Sequence, residues 1–299
     1  MPYWALRVAL MRLFCRRLIG YSLGVGPLRT ALSRVFAGLA FSLMEQVTVR
    51  DRLAQALSQR LTSKPVRVIP DPALLIKPEA AHDVQAFLAL QGVPLHGRPL
   101  IGVAPRRWFP PRNRIIPHAI KVKFVHGEHQ VPTEEQCMIA LLARILDGMV
   151  KQFNAHIVFM PTYAEHHEGD VRICKQIQAD MGSASSTLLR IQQPALYKGV
   201  TGELAVLLGG RMHPTILASA MGTPCVGLSY NQKFTGFFLS LGAADQVMDV
   251  ESFVSRQRVD DLASMLEKAM VGRVDRSQRI GALIRRLDEF NQRLIESLK

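Results

Sequence analysis

No two of the four cysteines, Cys15, Cys137, Cys174 and Cys225, form a CxxC pair, and all four sit in apolar segments. This excludes a disulfide or zinc framework and reads as small core residues in a reducing compartment. Long apolar runs are missing as well. The apolar N-terminus, Met1 to Ile19, is broken by Arg7, Arg12, Arg16 and Arg17, too charged for a membrane span or the apolar core of a secretion signal. The chain therefore reads as cytoplasmic. Aromatic residues are 7% of the sequence with no aromatic–basic repeat, which sets aside a nucleic-acid partner bound by stacking. There is no P-loop and no GxSxG elbow. Acidic residues are outnumbered, 24 against 37 Lys and Arg, so the net charge is +13 and the partner is expected to be anionic.

What is present is a globular composition, 48% apolar over 299 residues, long enough for about two domains. Apolar runs alternate with helical periodicities along the chain, which is the signature of an α/β fold with parallel sheets. Strands are expected at 18–25, 46–49 and 65–69, with helices at 3–16, 31–43 and 52–61 between and before them. The helix at 3–16 has two readings: a basic amphipathic helix on anionic lipid at the inner membrane face, and, more simply, a surface helix of the first domain. Residues 79–99, rich in proline, read as a linker between a domain at 1–78 and a second at 100–299.

The second half continues with a strand at 100–104, a long irregular stretch from Phe109 to Pro132, and a helix from Thr133 to about Phe153. Strands at 157–160, 187–191, 204–208 and 224–230 follow, with helices at 170–181, from Pro214, at 233–241, 260–271 and 275–298. Open parallel sheets bind ligands at the carboxyl ends of their strands. Three clusters fall there: Arg106-Arg107-Trp108, Gly210-Arg211-Met212-His213-Pro214, and Tyr230-Asn231 with Lys233. Pro214 suits the first position of a helix, whose unpaired N–H groups, beside a guanidinium, make an anion site. Asp170 and Asp180 do not form an evident catalytic pair. His126, His129, His166 and His167 have no zinc-type spacing, so no metal is expected.

Taken in order, Gly24-Val25-Gly26-Pro27-Leu28, Thr48-Val49-Arg50-Asp51, Pro70-Asp71-Pro72-Ala73, Ile101 to Arg106, Gly210 to Pro214, Gly222-Thr223-Pro224 and Ser229 to Phe234 resemble the motifs of the polysaccharide pyruvyl transferases. The resemblance implies two facing Rossmann-like domains, GT-B-like, with the start of the N-terminal domain lacking. It implies transfer of the pyruvyl group of phosphoenolpyruvate onto sugar hydroxyls as a ketal, without a cofactor, in surface or exopolysaccharide synthesis. The acceptor would be a sugar or lipid-linked oligosaccharide. His213 would be catalytic. Arg106, Arg211, Gly210, Tyr230 and Lys233 would bind the donor. Other readings are a nucleotide-sugar glycosyltransferase or epimerase of the same fold, and a truncated relative that binds anions or membrane without catalysis.

Overall fold

The structure, a computed structural model, describes residues 2–107, 133–162, 169–272 and 275–297. Trp108, the stretch Phe109–Pro132 with His126 and His129, and His166 and His167 lie outside these residues. The chain divides into two units. The first takes Met1–Ile76, Asn231–Val247 and Asp275–Lys299, and the second takes Lys77–Tyr230 and Met248–Val274.

The first unit begins with α1 (Pro2–Phe14) and β1 (Ile19–Leu23), then α2 (Ala31–Leu43), β2 (Gln46–Val49), α3 (Arg52–Gln59) and β3 (Val66–Val68). A 3₁₀ turn follows at Pro72–Leu75. The strands form a parallel sheet in the order β1-β2-β3. Val47, Val49 and Val66 pack against Ala37 and Phe41 of α2 and Ala54 of α3. Helix α2 starts on a capping box in which Thr30 and Ser33 each receive the other's backbone N–H. Asp51 caps α3 by accepting from the Ala54 N–H at 2.8 Å.

The second unit holds α4 (Ala81–Leu90), β4 (Leu100–Ala104), α5 (Thr133–Phe153), β5 (His156–Phe159) and α6 (Asp170–Asp180). It continues with β6 (Ser186–Leu188), α7 (Pro194–Gly202), β7 (Val206–Gly209), α8 (Met212–Ala220) and β8 (Cys225–Ser229). From there the chain forms α9 (Gln232–Ser240) in the first unit, then β9 (Val247–Asp249), α10 (Val250–Ser255), α11 (Val259–Val271) and, in the first unit, α12 (Ser277–Glu296). The sheet order is β6-β5-β4-β7-β8-β9, and every neighbouring pair from β6 to β8 is parallel. Strands β4, β5, β7 and β8 are buried along their whole length, as expected of a parallel sheet covered on both faces. Met138, Leu142, Ile145 and Met149 of α5 recur at helical spacing and pack against Ile101, Val103, Ile157 and Phe159.

The linker expected at 79–99 is instead built into the second unit. Val84 and Leu88 give α4 a buried stripe, and α4 packs on α7, where Gly199 leaves room for Val84. The prolines and glycine flanking α4 end the helix rather than mark a flexible crossing. Helix α7, absent from the sequence reading, starts on Pro194 at its first turn, a residue that also reads as a breaker. Of the cysteines, Cys174 and Cys225 are buried and Cys137 is half-buried, but Cys15 is exposed, against the expectation of four core residues.

Candidate functional site

The topology of the second unit fixes where a ligand can enter. From β4 the chain moves outward through β5 and β6. It then returns to β7 on the other side of β4 and moves outward through β8 and β9. The segments leaving β4 and β7 therefore diverge, and a crevice opens between their carboxyl ends. Arg106 leaves β4, and Gly210 to His213 leave β7. The Gly210 N–H donates to the Ala104 carbonyl at 2.9 Å, which ties the two exits together. A Cβ on Gly210 would lie 3.0 Å from the Arg106 backbone nitrogen and 3.2 Å from the Ala104 oxygen, so any larger residue has to push the two backbones apart by a few tenths of an ångström. Gly210→Ala is expected to separate the exits, costing about 1–3 kcal/mol of stability and at least about tenfold in kcat/KM, since catalysis depends on sub-ångström placement. Urea unfolding and steady-state kinetics read both.

Arg106 and Tyr230 come together at the crevice. The guanidinium carbon of Arg106 lies 3.7 Å from the centroid of the Tyr230 ring, a stacked cation–π contact that orients the arginine. Both residues line a hollow with Gly210 and the apolar side chains Val103, Leu208 and Leu228. His213 is exposed in the first turn of α8.

Arg211 is placed differently from the open cation expected beside His213. It is buried, and Asp170, also fully buried, takes its Nε at 3.1 Å and its Nη2 at 2.5 Å. Asp170 further accepts from the Thr162 N–H at 3.2 Å. The carboxylate at the start of α6 thus anchors the turn after β7. Arg211 occupies the N-cap position of α8 with extended backbone, so the helix begins at Met212 and Pro214 is its third residue. Proline is tolerated there because the first four N–H groups of a helix have no intrahelical acceptor. A second fully buried carboxylate, Glu135, sits between two arginines, Arg107 at 3.3 Å and Arg172. Glu135 is not among the candidate site residues that the sequence offers.

Lys233 belongs to the first unit, where it gathers the other conspicuous motifs. Its side chain runs along Gly24, where a Cβ would come within 3.3 Å of Nζ. Asn231 caps α9 by accepting from the N–H groups of Lys233 and Phe234, at 3.1 and 3.3 Å. Arg50 bridges β1 to the turn after β3: its Nε donates to the Ser22 carbonyl at 2.9 Å, and its Nη1 lies 2.6 Å from Asp71 Oδ2. Gly24, Arg50, Asp51 and Asp71, from three separate motifs, thus all follow the strands of one small sheet.

Burial raises the Asp51 carboxyl above the usual carboxylate range, against the Ala54 and Leu53 N–H groups and the charges of Arg50 and Lys233. Burial, and next the charge of Arg50, lower the Lys233 ammonium, while Asp51 pulls it back up. The linkage for Asp51 has a definite sign. Its ionised form is disfavoured in the fold, so stability falls as pH rises from its unfolded value, about 3.9, through its raised folded value. In urea unfolding across pH, the difference between parent and Asp51→Asn is expected to decline over that window and then level off.

Among the described residues, no group of three or more His, Cys, Asp or Glu side chains is arranged to hold a metal ion. The site is one of cations, a histidine and glycine-lined backbone at strand ends, in a chain built on two parallel sheets.

Solved structures share this fold. The UDP-GlcNAc 2-epimerase from Methanocaldococcus jannaschii matches at TM-score 0.59 and 10% identity, covering 96% of this chain and 74% of its own. An α,α-trehalose-phosphate synthase (UDP-forming) from Burkholderia vietnamiensis matches at TM-score 0.55 and 12% identity, covering 99% and 73%. At such identity the likeness establishes the fold, a GT-B-like α/β architecture, and nothing of the substrate. A comparison with curated protein sequences returns no match. The sequence signature of polysaccharide pyruvyl transferase matches residues 1–232, and the chain belongs to that family of transferases.

Proposed function

We propose that this protein moves the pyruvyl group of phosphoenolpyruvate onto two hydroxyls of a sugar, as a ketal, in the synthesis of a surface or exopolysaccharide. The observation that carries the reading is the position of Arg106 and His213. In a chain of the pyruvyl transferase family, they leave the two strands on either side of the switch point. Phosphoenolpyruvate carries a carboxylate and a phosphate on three carbons and calls for converging cations. In this reading Arg106 and Arg211 hold the two anionic groups, with Tyr230 and Asp170 fixing their orientations. Gly210 brings backbone N–H groups close.

The chemistry balances with a single acid. His213 gives a proton to the methylene carbon, C3, which becomes a methyl group and leaves C2 electron-poor. A sugar hydroxyl oxygen bonds to C2 and sheds its proton. The bond from C2 to the phosphate oxygen breaks, and phosphate departs. The second hydroxyl closes the ketal and sheds its own proton. Two protons are released and one is consumed, so the remaining proton leaves with phosphate or solvent.

Calorimetry tests the donor directly. Phosphoenolpyruvate is expected to bind the full chain, and UDP-GlcNAc is not. Binding of UDP-GlcNAc with none of phosphoenolpyruvate would transfer the protein to the nucleotide-sugar chemistry of its structural neighbours.

A further inference from the structure

The first 44 residues contain six arginines and no aspartate, glutamate or lysine. All six, Arg7, Arg12, Arg16, Arg17, Arg29 and Arg34, are exposed. The same segment carries the largest group of exposed apolar side chains among the described residues. On α1, Trp4, Leu6, Leu10, Leu13 and Phe14 are all about half exposed or more, with Leu13 at 77% and Phe14 at 86%. At 3.6 residues per turn these positions share one half of the helix. Ala5, on the other half, is the buried residue of α1. Helix α2, on which α1 packs, is itself only partly covered: Leu32, Val35 and Leu39 form an exposed stripe.

Water is a poor environment for such a surface, and the charge pattern says what replaces it. A protein partner would have to be both apolar and acidic. An anionic bilayer offers phosphate groups at the depth of the arginines and hydrocarbon just below. The aromatic residues fit that layering. Tyr3 and Trp4 meet edge to face at 5.8 Å, and the Arg7 guanidinium lies 5.5 and 5.3 Å from their ring centroids. Aromatic rings with a cation beside them are suited to the level of lipid headgroups. Among the described residues no helix is long and apolar enough to cross a membrane, so the contact is one of lying on the surface.

We infer that α1 is a membrane-docking helix that seats this protein on an anionic lipid surface, with Leu13 and Phe14 entering the acyl boundary and the exposed arginines other than Arg17, which Glu45 holds, engaging lipid phosphates. The inference is independent of the donor chemistry. Its consequence is a lateral search in two dimensions for an acceptor that is itself carried on lipid.

The test is flotation of the full chain with vesicles of phosphatidylcholine alone or with about 30% phosphatidylglycerol. Each arginine near an anionic surface adds about fivefold to partitioning, so the anionic vesicles are expected to bind at least about tenfold more protein. Raising salt from about 0.1 M to about 0.5 M shortens the screening length and is expected to release it. Leu13→Glu/Phe14→Glu, at exposed positions, is expected to abolish binding while the circular dichroism spectrum and phosphoenolpyruvate binding stay unchanged. Arg7→Gln/Arg16→Gln is expected to erase most of the preference for anionic lipid. Equal or absent binding to both vesicle types at low salt would overturn the inference. So would a dimer in sedimentation equilibrium that Leu13→Glu/Phe14→Glu dissolves, in a protein that ignores vesicles, because the face would then cover a second copy of the chain.

Discussion

Replacing His213 with glutamine is expected to lower kcat by about 10²–10⁴-fold, the range for a general acid that delivers a proton in the transition state. The reason lies in the donor. The enol carbon of phosphoenolpyruvate becomes reactive toward a hydroxyl only once C3 is protonated, and His213 is the imidazole between Arg211 and Pro214 at the exit of β7. His213 is exposed at the start of α8. Its replacement should therefore leave unfolding free energy within about 0.5 kcal/mol of the parent, as for surface substitutions generally. Loss of turnover without loss of stability is the signature to look for. Donor affinity, measured by calorimetry, should change little. A variant turning over within a few-fold of the parent would remove His213 from the chemistry.

Removing Asp170 should do the opposite, acting first on stability. The Asp170→Ala change leaves the Arg211 guanidinium buried without its carboxylate, which typically costs about 3–5 kcal/mol. The pair joins the start of α6 to the turn after β7, so the damage falls on the element that presents Gly210 and His213. Replacing both partners, Asp170→Leu with Arg211→Met, should recover most of the lost stability, because no unpaired charge remains. It should not recover activity if Arg211 holds the donor. Urea unfolding of the parent, single and double variants, with turnover measured alongside, separates the two roles. A loss below about 1 kcal/mol in Asp170→Ala would mean the pair does not hold the turn.

What could be read from the sequence follows from the range of each interaction. The strands of the second unit were legible because β4, β5, β7 and β8 are buried on both faces and appear as short continuous apolar runs. Helix α5 was legible through its acidic first turn and long period. The clusters at strand ends could be located, since in a parallel sheet all those ends lie on one edge. Helices α4 and α7 were hidden by prolines and glycines whose meaning depends on context, as starts and ends of helices or as breaks between them. The partner of Arg211 was hidden for another reason. Asp170 is 41 residues away, and no periodicity connects a residue at the start of α6 to one after β7. Register alone could have suggested it, because β5 pairs with β4 and β4 with β7. The exposed face of α1 was legible only as an unresolved choice. Sequence gave its arginines and apolar residues, but not which side chains the rest of the unit leaves uncovered.

Release of phosphate from phosphoenolpyruvate, followed with and without candidate glycan acceptors, tests the proposed reaction most directly. The expected result is release that depends on the acceptor and leaves the acceptor heavier by one pyruvyl ketal. Absence of phosphoenolpyruvate turnover across acceptors, together with turnover of a UDP-sugar, would contradict it.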